Sequence, residues 1–116
     1  MAILRYDIAT AVYENNRSRK LIVDDTFDAD DQWTDWVEFE QGKSFTLIVS
    51  GSFTGTPVLQ VSFDDGVTWY DVWTGEADEP ATKYVDVEEG GVLYRLGFPT
   101  GALSAGSAYC RMSQSL

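Results

Sequence analysis

The chain has 116 residues and a formal net charge of −11, from 19 acidic and 8 basic side chains, with one cysteine and no histidine. Its length fits one domain, and a hydrophobic content of 44% with 14% aromatics suffices for a packed core. The missing histidine excludes Ser-His-acid and Cys-His catalysis and the commonest zinc ligand, and the lone Cys110 excludes an internal disulfide.

Residues 1–20 read in two ways: Ile3 to Tyr13 suits an extended strand or a short helix, and Glu14 to Arg19 reads as a polar turn. Leu21-Ile22-Val23 is a short apolar strand, followed by an acidic loop from Asp24 to Asp31 interrupted by Phe27. From Trp33 to Glu40 the period is two, with Val37 and Phe39 inward, and Gln41-Gly42 is a turn. In Ser44 to Ser50, Phe45, Leu47 and Val49 share one face, as expected for a half-buried strand. Gly51 to Pro57 reads as a glycine-rich connection.

Val58 to Phe63, the turn Asp64-Asp65-Gly66 and Val67 to Trp73 form the clearest hairpin signal, with Leu59, Val61 and Phe63 on one face and Gly66 at positive φ. Gly75 to Thr82 is an acidic loop, Lys83 to Val87 a short strand and Glu88 to Gly91 a turn. Val92, Tyr94, Leu96 and Phe98 alternate with Leu93, Arg95 and Gly97. Pro99 to Ser107 reads as a loop, and Ala108 to Met112 is the last strand. Seven or eight short strands predict an all-β fold, an antiparallel β-sandwich of jelly-roll type, with a closed barrel as the alternative. The expected organisation is an N-terminal arm or first strand over residues 1–20 and one sandwich domain over 21–116.

Charge divides along the same boundary. Residues 1–20 hold four basic and two acidic side chains, and the other 96 hold four basic and seventeen acidic ones. A body at net −13 repels nucleic-acid phosphates, so no nucleic acid is expected as a partner. Met1 to Leu4 is too short for a secretory signal, and no window approaches 18 apolar residues, so neither signal peptide nor membrane span is expected. The cluster Asp24, Asp25, Asp28, Asp30 and Asp31 has no EF-hand spacing and reads as a solvated loop; no metal and no cofactor are expected. Carboxylates are the only plentiful reactive groups, and a chain this short makes a poor cleft between two of them, so no catalytic residue is assigned.

Ser62, Asp64, Gly66, Thr68 and Trp69 match every fixed position of S-x-D-x-G-x-T-W. This segment resembles the Asp-box, a hairpin motif best known from sialidase-type propellers. The resemblance implies that Asp64 accepts turn N–H groups, Thr68 supports the turn and Trp69 packs beneath it. Physics gives each residue the same role: a short carboxylate bonds nearby amides, and glycine takes positive φ without penalty. One copy of the box in a short chain carries over neither the propeller nor its enzymology.

A longer pattern, G-x-x-x-G-T-x-x-L-Q-x-S-x-D-x-G-x-T-W, runs through Gly51, Gly55, Thr56, Leu59, Gln60, Ser62, Asp64, Gly66, Thr68 and Trp69. With the later Tyr94-Arg95 strand, it resembles small bacteriophage virion proteins over about residues 33 to 112. That resemblance implies a non-enzymatic virion protein made in the host cytoplasm, first of all a capsid cement or decoration protein. The alternative within that class is a tail or head–tail component. Its partners would be copies of itself, for instance in a trimer, and the major capsid protein or another virion protein. Arg5, Tyr6, Arg17, Arg19 and Lys20 form the candidate assembly arm, either crossing to a neighbour or forming a first strand at home. A reading from a different class is a carbohydrate-binding module that stacks sugars on Trp36, Tyr70 and Trp73.

Overall fold

Alternation of apolar and polar residues builds both sheets of this protein. The computed structural model describes residues 3–5, 12–14 and 18–115. In chain order the strands are β1 (Ile3–Arg5), β2 (Val12–Glu14), β3 (Ser18–Phe27), β4 (Gln32–Trp33), β5 (Trp36–Glu38) and β6 (Ser44–Gly55), then β7 (Val58–Ser62), β8 (Tyr70–Thr74), β9 (Ala81–Asp86), β10 (Leu93–Phe98) and β11 (Leu103–Ser115). The front sheet runs β1-β5-β10-β7-β8, with β4 also paired to β10, and the back sheet runs β2-β3-β11-β6-β9. Pairing is antiparallel throughout except for the parallel pair β1–β5.

The two sheets close on one core. The front sheet contributes Val37, Leu59, Val61, Tyr94, Leu96 and Phe98, and the back sheet Leu21, Val23, Phe45, Leu47, Val49 and Met112. Aromatic contacts cross the gap: Phe45 meets Tyr94 edge-on at 5.0 Å and Phe27 meets Phe98 at 6.4 Å, while Phe39 stacks on Phe45 at 4.2 Å. Each fully buried side chain of this size contributes roughly 1.5 to 3 kcal/mol. The fold is therefore the all-β sandwich that the alternation predicts.

Two buried polar residues, Thr34 and Gln114, find backbone partners. Thr34 is fully buried and bridges β10: its N–H donates to the Leu96 carbonyl at 2.9 Å, and its Oγ1 accepts from the Leu96 N–H at 3.1 Å. Gln114 clips the segment after β5. Its Oε1 accepts from the Glu40 N–H at 2.6 Å, and its Nε2 donates to the carbonyls of Glu40 at 3.1 Å and Lys43 at 3.3 Å.

Several boundaries differ from expectation, and the described residues form eleven strands where seven or eight were expected. Strand β3 continues through Asp24, Asp25 and Thr26, because their polar side chains sit exposed while the backbone pairs with β11. The segments expected as Gly-rich loops at Gly51–Pro57 and Pro99–Ser107 instead extend β6 to Gly55 and begin β11 at Leu103. Glycine serves close approach there. A Cβ on Gly106 would lie 2.3 Å from the Ser52 carbonyl oxygen, and the backbone has φ +81°. A register shift between Leu103 and Ala105 marks a bulge at the same place. The expected strand Trp33 to Glu40 is broken into β4 and β5 around Thr34.

Candidate interaction surface

The motif hairpin joins β7 to β8. Its turn is longer than two residues: the chain leaves the ladder at Ser62 and rejoins it at Tyr70, so Val67 to Trp69 belong to the connection. Partners are Val58↔Thr74, Leu59↔Trp73, Gln60↔Asp71 and Val61↔Tyr70, which leaves Val72 as the extra residue of a bulge. Within the connection, Asp64 Oδ1 accepts from the Thr68 N–H at 2.8 Å and from the Ser62 hydroxyl at 2.8 Å. Ser62 Oγ accepts from the Gly66 N–H at 2.8 Å, and Trp69 Nε1 donates to the Gly66 carbonyl at 3.1 Å. The Thr68 backbone N–H, followed by the Ser62 and Thr68 hydroxyls, holds the Asp64 carboxyl below the usual value of 3.8. Gly66 has φ +89°, and a Cβ there would lie 2.3 Å from the Trp36 ring.

Beneath this turn, the outer face of the front sheet carries a stack of rings and one cation. Trp36 and Trp69 lie 5.3 Å apart at a tilt of 59°. The Arg95 guanidinium sits 4.3 Å from the Trp69 ring centre and 4.2 Å from that of Trp33. Arg95 Nε donates to Gln60 Oε1 at 2.8 Å, and Gln60 Nε2 donates to Asp71 Oδ1 at 2.8 Å. Burial lowers the pKa of Arg95, and the charge of Asp31 opposes that shift. This face is a polar–aromatic brace that fixes the hairpin to β4, β5 and β10, with the buried Trp36 Nε1 left without a hydrogen-bond partner among the described residues. Sequence reading did not find it, although an arginine alternating with core residues in Leu93–Phe98 was its signal.

The other notable surface runs along the sandwich edge where β8 ends the front sheet and β9 ends the back sheet. A groove of about 230 Å³ lies between them, with Val61, Val92 and Tyr94 as its floor and Phe63, Val72 and Val85 along its walls. Asp86, Glu88 and Glu89 rim it. Phe63, Tyr70 and Val72 are 57%, 56% and 51% exposed, which is unusual for three large apolar side chains on one edge. Burial, then the charges of Glu88 and Glu89, pushes the Tyr94 phenol above its ordinary pKa. Phe63 was expected on one face with Leu59 and Val61; those two are buried while Phe63 is exposed, because the chain leaves the strand after Ser62.

The sequence-derived residues fall in different places. Arg5 pairs with Glu38 across β1–β5. Lys20 lies half-buried in β3, opposite Val12 on one side and Ser115 on the other. Tyr6, Arg17 and the side chain of Arg19 lie outside the described residues. The described parts of residues 1–20 thus add one short strand to the edge of each sheet of their own chain. The three sugar-stacking candidates share no plane. Trp36 packs against Trp69 on the outer face, Trp73 packs against the core, and Tyr70 stands exposed beside Phe63 at 6.2 Å. The carboxylates from Asp24 to Asp31 are held apart by separate bonds: Asp24 accepts from the Tyr109 hydroxyl at 2.7 Å and Asp30 from the Gly101 N–H at 2.5 Å. Among the described residues no three acidic or thiol groups gather to hold a metal ion, and no helix is long and apolar enough to cross a membrane.

No family model and no curated protein matches this chain. Among solved structures the chain is similar to the Aeromonas hydrophila periplasmic lysozyme inhibitor PliG, an inhibitor of g-type lysozyme, at 10% identity and a TM-score of 0.44, over 97% of this chain and 96% of that one. A likeness of that degree carries no argument about function.

Proposed function

We propose that this chain is a non-enzymatic structural protein of a bacteriophage particle, a capsid cement or decoration protein that works through protein–protein contacts. The observation that supports this best is the acid-rimmed apolar groove between two open sheet edges, where Phe63, Tyr70 and Val72 remain half exposed. Open strand edges with apolar side chains template pairing with another chain, and soluble domains normally blunt them. Here a bulge at Val72 and the charges of Asp71 and Lys83 limit indiscriminate strand pairing, while the apolar side chains of the edge stay exposed. The virion-like segment ends in the hairpin that leads into this edge, with Trp69 and Arg95 bracing it from the outer face.

A catalytic reading lacks its parts. Asp64 is committed to the turn, and Glu88 and Glu89 are neighbours in one turn instead of facing each other across a cleft. The homotypic contacts expected of shell components suit a rigid sandwich with two adhesive edges. Quantitative mass spectrometry of purified particles from producing cells tests the proposal. The expected result is this chain at many copies per particle, in a fixed ratio to the shell protein. Its absence from washed particles, with the chain recovered only in the soluble lysate, overturns it.

A further inference from the structure

We infer that the β8/β9 groove seats an extended segment of another protein of the particle, one whose large apolar side chains alternate with Lys or Arg; this deepens the reading of the chain as an assembly protein and rests on it. The sandwich is open on this side. Strand β8 ends the front sheet, β9 ends the back sheet, and the two do not pair with each other. Apolar side chains line the gap: Val61, Val92 and Tyr94 are buried at its floor, while Phe63 and Val72 stand half exposed at its wall. Pockets for small molecules run to about 300 to 1,000 Å³ and enclose most of their ligand. A groove of about 230 Å³ with half-exposed walls instead suits one or two side chains handed down from a passing chain. The bulge at Val72 interrupts the β8 edge, so side chains supply the contact in place of a regular ladder.

Charge sets the chemistry of the occupant. Asp86, Glu88 and Glu89 are exposed at the rim, and among the described residues none of them forms an ion pair. No basic residue lines the groove. The field of the rim reaches the floor, since the charges of Glu88 and Glu89 add to burial in raising the pKa of the Tyr94 phenol. An apolar floor beneath uncompensated carboxylates is complementary to apolar anchors flanked by Lys or Arg. An extended chain delivers both, because every second residue faces the floor and the long basic side chains between them reach the rim. A second copy is a poorer fit. Groove on groove would bring two acidic rims within a Debye length of about 8 to 10 Å. The cations Arg5, Lys43 and Arg95 are engaged in their own chain, with Glu38, with Glu40 and between the rings of Trp33 and Trp69. Tyr70 lies outside the groove lining, so the rest of the edge stays available to contacts between copies. Ion pairs at an exposed rim contribute little each, so the apolar anchors supply most of the affinity and the carboxylates select the partner.

Fluorescence anisotropy of a labelled synthetic peptide, titrated with the full chain, tests this. The probe is Gly-Lys-Leu-Arg-Phe-Lys-Gly. One control peptide carries Ser in place of Leu and Phe, and another carries Gln in place of Lys and Arg. The probe is expected to saturate at one per subunit, and each control to bind about tenfold more weakly or worse. E88K/E89K at the rim and Val72→Asp at the wall alter exposed side chains, and each is expected to weaken probe binding by about tenfold or more. D28K/D35K makes the same change of net charge away from the groove and is expected to alter binding by less than about threefold. Circular dichroism verifies that every variant stays folded. No saturable binding of the probe up to about 1 mM overturns the inference. Equal binding by either control peptide does so too, as does an equal loss in D28K/D35K and E88K/E89K. Light scattering on the same mixtures separates the rival occupant. The complex is expected to keep the subunit number of the free chain, and a probe that dissociates copies from one another would show that a copy fills the groove, against the inference. A chain that is abundant in particles yet ignores the probe sinks this inference and leaves the virion reading in place. A chain that binds the probe as described yet is absent from particles supports the groove chemistry and sinks that reading instead.

Discussion

Cys110 shows how position decides the chemistry of one side chain. It lies fully buried on β11 among the core residues, and burial, with a smaller contribution from the charge of Asp25, pushes its thiol from 9.0 up to about 12. The native thiol therefore keeps its proton where an unfolded one would lose it. By linkage this stabilising contribution is fully present below about pH 9 and is lost as pH rises from there toward the folded value, with a slope of at most about 1.4 kcal/mol per pH unit. Denaturant titrations at about pH 8 and about pH 10.5 are expected to show a larger loss for the original chain than for Cys110→Ala. Equal losses would mean that the thiol is not held protonated by the core. The same burial predicts that the thiol is inert, since the thiolate is the reactive form.

At the scale of elements, alternation carried most of the information. Phe45, Leu47, Val49, Leu59, Val61 and Leu96 each lie inward where period two places them. Boundaries were less legible, because a strand whose outer face meets solvent is free to carry the polar residues of a loop. Asp24 and Asp25 pair with β11 while exposing their carboxylates, and Gly51 and Gly106 sit within paired strands. The motif hairpin was legible as a turn but not in its register, since the box holds seven residues, Phe63 to Trp69, off the ladder. The Trp33–Arg95–Trp69 stack was not legible at all, because it joins residues from three segments that pairing alone brings together. The hairpin's dependence on Gly66 is testable by Gly66→Val. The change forces a side chain into positive φ and into the Trp36 ring, and is expected to cost about 3 kcal/mol. Chemical denaturation measures it, and a loss under about 0.5 kcal/mol would show that the turn tolerates a Cβ and that the Trp36 contact is not tight.

For the whole molecule, the governing fact is a stable core combined with an unfinished surface. The sandwich is complete inside, yet its β8/β9 edge leaves three large apolar side chains in water beside a row of carboxylates. Monomeric domains seldom keep such an apolar edge, and under the proposed function this one works by association. Light scattering on the full chain as it elutes from size-exclusion chromatography measures that association. The expected mass is a whole-number multiple of 12.9 kDa greater than one, falling toward one unit on dilution. A mass of 12.9 kDa at every concentration, from dilute to near-saturated solution, would contradict it.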